Sequence, residues 1–141
     1  MFPKIMKKRG LGFTLVELLV VLVIMGLLAG LIGPRVMDQL GGAKSKTARV
    51  QIAEMEQAMD LFKLDVGRYP NDAEGLNALV ERPATANGWN GPYLKKALPV
   101  DPWGGAYQYK RQGRHNGVPD IFSLGADGKP GGEGEDADIF N

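Results

Sequence analysis

The chain has 141 residues, with 17 Lys+Arg against 16 Asp+Glu, a formal charge of +1, 20 glycines, 9 prolines and no cysteine. That length suits one ordinary domain. The absence of cysteine excludes a disulfide scaffold, a zinc–cysteine site, a thiol nucleophile and an iron–sulfur cluster. The near balance of charge argues against a strongly basic nucleic-acid binder.

Apolar and charged residues are unevenly spread. Residues 1–12 read MFPKIMKKRGLG and carry four bases, Lys4, Lys7, Lys8 and Arg9, with no acid. Residues 13–33, from Phe13 to Gly33, are apolar apart from Thr14 and Glu17. As a helix they would span roughly 31 Å, about one hydrocarbon core. Bases ahead of an apolar run predict a cytoplasmic N-terminus, with everything after Pro34 on the other side. The run is too long for the core of a secretory signal, and no small-residue cleavage pattern follows Pro34. A plain membrane anchor fits the length but not Glu17, because a charge at membrane depth costs at least ~2.5 kcal/mol. Glu17 therefore needs a partner or a role.

Residues 34–66 continue the helix in amphipathic form. Ala48, Ile52, Met55, Met59, Phe62 and Val66 recur at helical spacing and predict a core-facing stripe. A helix from about Thr14 to Val66 is expected, with Pro34 and Gly41-Gly42 as points where it could bend. Gly67-Arg68-Tyr69-Pro70 stops it. Asn71 or Asp72 should cap a shorter helix whose apolar face is Leu76, Leu79 and Val80. Residues 83–105 read as a loop ordered by Trp89, Tyr93 and Trp103. Strands are expected at Ala106–Lys110 and Asp120–Leu124, with a turn over Arg111–Gly117 and one more strand near Ile139. Residues 67–141 thus predict a small α+β head.

Two sets of words carry a family resemblance. Gly12-Phe13-Thr14-Leu15-Val16-Glu17 ahead of the apolar run closely resembles the processing site of type IV pilins and pseudopilins. The head words Gly67-Arg68-Tyr69-Pro70, Gly91-Pro92-Tyr93-Leu94, Asp101-Pro102-Trp103-Gly104 and Ser123-Leu124-Gly125-Ala126-Asp127-Gly128 resemble the major pseudopilins of type II secretion, the general secretion pathway protein G family. The likeness covers essentially the whole chain.

The resemblance implies a type IV pilin-like fold, a long N-terminal helix holding a small C-terminal domain. It implies that residues 1–12 are a leader cut after Gly12 by a prepilin peptidase, and that Phe13 is then N-methylated. It makes the protein the major subunit of a pseudopilus that helps move folded exoproteins across the outer membrane. The subunit would start in the inner membrane with its head in the periplasm. Its partners would be further copies of itself, minor pseudopilins, the peptidase–methyltransferase, and an inner-membrane platform with its ATPase. Glu17 could pair with the Phe13 ammonium of its own chain or of the next subunit. An adhesion or DNA-uptake pilin, or an anchored calcium-dependent binding head, are the alternatives. No catalytic motif is present, and His115 reads as a surface residue.

Residues 127–138, DGKPGGEGEDAD, hold five acids and four glycines. By composition they are a floppy acidic tail or a calcium loop, and their spacing is not that of an EF-hand. The resemblance favours calcium in a loop of residues 124–138. It implies ligands from the Leu124 and Lys129 carbonyls and the Asp127 side chain. Asp136 and Asp138 are the choices for the remaining carboxylates, with Glu133 or Glu135 as substitutes. Without the leader's four bases the count is 13 bases against 16 acids.

Overall fold

The computed structural model describes residues 10–141; Lys4, Lys7, Lys8 and Arg9 of the expected leader lie outside them. One helix, α1, runs from Leu15 to Val66. It passes through Pro34 and Gly41-Gly42 without interruption. The chain divides into two units, one ending at Asp38 and one starting at Gln39.

In the first unit every described residue is exposed except half-buried Gly33. Leu19, Val23, Leu27 and Leu31 all present their side chains outward. This part of α1 is long and apolar enough to cross a membrane. Its first turn is closed by Thr14, whose carbonyl accepts the Leu18 N–H at 3.2 Å.

In the second unit the predicted stripe is the core. Ala48, Ile52, Met55, Met59 and Phe62 are all 1% exposed or less. Burying each of the larger ones stabilises the fold by about 1.5–3 kcal/mol. Val66 packs at the margin of the same cluster, and Leu76, Leu79, Tyr107, Ile121 and Ile139 complete it. Tyr93 meets Phe62 edge-on at 5.9 Å and Trp89 at 5.6 Å, so these loop aromatics pack as expected. The Trp89 indole donates to the Ala78 carbonyl at 2.7 Å.

The sheet is antiparallel, in the order β1 (Gln108–His115), β2 (Val118–Ser123) and β3 (Ile139–Phe140). Three expectations are corrected here. The short helix after Asn71 is only a 3-10 turn, Leu76–Leu79. Gly75, at φ +58°, turns the chain out of helical geometry before a second α-turn can form. The strand expected to stop at Lys110 continues to His115, and only Asn116-Gly117 turn. The register slips between Lys110 and His115, where Gly113 lies so close to the Val118 carbonyl and to Asp120 that a Cβ would collide with both. The Asp120 carboxylate accepts from the Arg114 N–H at 3.0 Å and pairs with its guanidinium at 3.3 Å. The loop at 83–105 adds one isolated bridge, Val100 to Ala106.

The end of α1 is tied to that 3-10 turn through one ion pair. Asn71 and Glu74 cap each other reciprocally, at 2.9 and 2.7 Å. Arg68 binds both Glu74 oxygens at 2.8 Å and also reaches the Tyr69 and Thr85 carbonyls. The guanidinium holds the Glu74 carboxyl down at about 2. A depressed carboxylate pKa means stability that is present above the unfolded value, near 4.5, and lost as pH falls towards about 2. Melting of the full chain in detergent should therefore show a loss of stability across that window. Glu74→Gln should flatten it and cost about 1–3 kcal/mol at neutral pH. A wild-type acid profile retained by Glu74→Gln contradicts this assignment.

Candidate functional site

Two regions collect the residues singled out from the sequence. The first is the start of α1. Gly12 and Phe13 precede the helix, and the Phe13 ring is 83% exposed. Glu17 is engaged within its own chain. Its carboxylate accepts the Thr14 N–H at 3.1 Å, while the Thr14 hydroxyl accepts the Glu17 N–H at 3.2 Å. This is a capping box, with Thr14 at the cap and Glu17 at the third helical position. The negative carboxylate also faces the positive end of the helix dipole. Thr14 was missed as a functional residue, although the Thr-x-x-Glu spacing signals it directly.

The second region is the loop between β2 and β3. It is ordered, not a floppy tail. The Ala126 N–H donates to the Glu135 carbonyl at 2.9 Å, tying its two arms together. Asp127 folds over itself and accepts the Lys129 N–H at 3.0 Å. Asp138 accepts the Gly131 N–H at 3.0 Å through one oxygen. Its other oxygen, Oδ1, is buried and has no hydrogen-bond partner among the described residues. A buried, unpaired carboxylate oxygen is costly unless something with positive charge meets it.

Backbone oxygens also lie close to two glycines of this loop. A Cβ on Gly125 would sit 2.7 Å from the Glu135 carbonyl oxygen and 2.9 Å from that of Ala137. One on Gly132 would sit 2.6 Å from the Asp136 carbonyl oxygen. Both glycines have positive φ, +71° and +96°. They were not singled out individually, because a glycine's place in a close approach does not show in a single sequence. Asp136 lies in the 3-10 turn Gly134–Asp136 and is exposed, as are Asp127 and Lys129. No three acidic or histidine side chains cluster among the described residues, so Asp127, Asp136 and Asp138 do not converge as a triad. A cation here would draw on backbone carbonyls as well as carboxylates. The Glu135 side chain turns away from the loop and lies over buried Gly41 of α1, where a Cβ would meet it at 2.7–2.9 Å.

A capped apolar helix preceded by Gly-Phe, continuing into the core of a small antiparallel α+β head, is the architecture of type IV pilin-like subunits. The comparisons agree. The family described as Type II secretion system (T2SS), protein G matches residues 35–141, and the Prokaryotic N-terminal methylation motif matches residues 7–33. The chain is 47% identical over 139 residues to the Type II secretion system core protein G of Pseudomonas aeruginosa, covering 96% of each. It is 45% identical to the Vibrio cholerae protein of the same name, covering 95% of this chain and 92% of that one. The crystal structure of the major pseudopilin from the type 2 secretion system of enterohaemorrhagic Escherichia coli superposes with a TM-score of 0.64 at 35% identity. That match covers 74% of this chain and 91% of the other. The chain belongs to the type II secretion system protein G family.

The glycines separate two costs. Gly131 has φ +84° with open space around it, whereas Gly132 is both left-handed and pressed against Asp136. Gly131→Ala should cost about 1–2 kcal/mol, the conformational penalty alone. Gly132→Ala should cost clearly more, because backbone must move. Thermal unfolding of the two variants checks this, and equal losses would refute the close-approach reading.

Proposed function

We propose that this protein is the repeating structural subunit of a type II secretion pseudopilus, not an enzyme. The observation that carries the reading is family membership over residues 35–141 joined to a methylation motif over residues 7–33. Nothing in the relatives' names favours an adhesive pilin or an anchored binding head.

The proposed sequence of events follows from the residues. The precursor sits in the inner membrane through the apolar half of α1, with its basic start in the cytoplasm and its head in the periplasm. A prepilin peptidase cuts after Gly12, leaving an ammonium on Phe13 that is then methylated. The new charge lies one residue from Thr14, whose N–H the Glu17 carboxylate already binds. Glu17 can therefore accept the ammonium of its own chain with little rearrangement, or exchange its cap for the Phe13 of a neighbour. Apolar faces exposed along Leu15–Leu40 leave lipid and become buried against other copies. Contacts of this kind are heterologous and do not close, so they build a filament. Minor pseudopilins, the assembly platform and its ATPase are the remaining partners of this reading.

Calcium is the proposed resident cation of the loop at 124–138. The buried, unpartnered Asp138 oxygen and the carbonyls gathered at Gly125 and Gly132 support that reading. Asp138 and Asp127 would supply the carboxylates, and the Leu124 and Lys129 carbonyls further oxygens. Asp136 fits better as a carbonyl donor, since the three acids do not cluster. The cation would stitch the loop's two arms together; it supplies no reaction.

Two experiments test these readings. In cells carrying the assembly machinery, Glu17→Ala should still be cleaved to the mature size but yield few or no sheared filaments; filaments at wild-type abundance would refute the role. For calcium, free ion at about a hundred times the dissociation constant adds about 2.7 kcal/mol. A melting shift of about 10–20 °C on chelation follows for a unit of this size. A melting temperature indifferent to chelator would exclude a structural cation.

A further inference from the structure

Beneath the carboxylate loop lies a buried polar chain that the loop's own residues do not explain. Asp101 is 4% exposed and Ser123 fully buried. The Asp101 carboxylate faces no basic group among the described residues; each of its contacts is a neutral donor. One oxygen accepts the Trp103 and Gly105 N–H groups at 3.1 and 2.7 Å, and the other accepts the Ser123 hydroxyl at 2.7 Å. An ionised carboxylate only accepts, so the hydroxyl proton of Ser123 points at Asp101. The lone pairs of that hydroxyl are then free, and one accepts the Gly125 N–H at 3.1 Å.

That last bond has a consequence for the neighbouring carbonyl. The Gly125 N–H and the Leu124 C=O belong to the same peptide unit. The unit is trans, since the one cis bond among the described residues joins Gly91 and Pro92. In a planar trans peptide the N–H and C=O point in opposite directions. Gripping the N–H from below therefore aims the Leu124 carbonyl the other way. Gly125, next in the chain, lies against the carbonyls of Glu135 and Ala137.

We propose that Asp101 and Ser123 are positioning residues for the cation loop: through the Gly125 N–H they fix the Leu124 peptide so that its carbonyl is presented as a ligand. The proposal rests on the calcium reading for its purpose, and on the hydrogen bonds alone for its geometry. It assigns a role to the Asp101-Pro102-Trp103-Gly104-Gly105 turn, which lies 22 residues away in sequence from the serine it orients. Partners behind a ligand commonly change metal affinity 10–100-fold when removed.

The test uses the full chain in detergent micelles, titrated with calcium by calorimetry. Ser123→Ala removes the acceptor, and Asp101→Asn puts an amide donor where the hydroxyl proton now points. Each should weaken calcium binding about tenfold. The double variant should be no weaker than the worse single one, because both act through one path. In chelator, amide exchange at Gly125 should quicken in Ser123→Ala while exchange at Ile52 and Phe62 stays slow; a general loss of packing would move all three. Calcium affinities within twofold of wild type, or additive losses in the double variant, would overturn the proposal. If Asp101→Asn does not fold, Ser123→Ala carries the test alone. If the wild-type chain binds no calcium, the calcium reading fails. The aiming of the peptide is then decided by Gly125 exchange, and an unchanged rate in Ser123→Ala overturns it.

Discussion

The head depends on one row of side chains. Ala48, Ile52, Met55, Met59 and Phe62 form the stripe of α1 on which the 3-10 turn, the aromatic loop and the inner face of the sheet all close. None of those other parts could bury its apolar surface alone. A two-stranded hairpin with a two-residue third strand is marginal without a helix beneath it. The stripe also explains why polar bonds elsewhere are satisfied where they are. Tyr107 reaches Gln51 of α1 with its hydroxyl, and Tyr93 reaches Asp65 at 2.7 Å, so each ring packs while its polar tip finds a partner on the same helix. Burial pushes the Tyr107 hydroxyl up to about 12.

Much of this was legible in the sequence, and the reasons are local. The stripe shows as a period, and the end of α1 shows as Gly67 and Pro70. Features decided by backbone conformation and cross-strand contact were not legible. The strand β1 outruns its expected end, and Gly113 there lies against Val118 and Asp120 of the facing strand, a cross-strand contact that the alternation of letters does not show. The helix after Asn71 shrinks to a 3-10 turn: Asn71 caps only the single turn to Glu74, and Gly75, at a positive φ, stands ahead of Leu76–Leu79 with no side-chain cap. Thr14 is legible in its spacing: three residues ahead of Glu17, it forms the other half of a capping box.

The carboxylate loop shows the same divide more sharply. Its acids are visible as letters, and they suggest a site made of carboxylates. The fold leaves one carboxylate oxygen, on Asp138, buried without a partner, and sets backbone carbonyls against Gly125 and Gly132. Every residue has a carbonyl, so sequence cannot say which ones turn inward. Gly125, Gly131 and Gly132 all take a positive φ, and only the structure shows that Gly125 and Gly132 also lie against backbone carbonyls while Gly131 stands in open space.

Gly41 completes that picture from the other side. Within a helix, glycine reads as a weak point, costing about 1 kcal/mol against alanine. Here the missing side chain is the space into which Glu135 settles, so the loop and α1 touch through a residue of each. The loop is then held at three places: by the β-strands at its ends, by the Asp101–Ser123 chain under its first arm, and by Glu135 on α1. Holding five acids in one short loop still works against their mutual repulsion, and Lys129 is the loop's single base. A disulfide would not relieve that repulsion, since it acts largely by restricting the unfolded chain. A divalent cation would relieve it directly, and by mass action its contribution would rise with the ion's concentration.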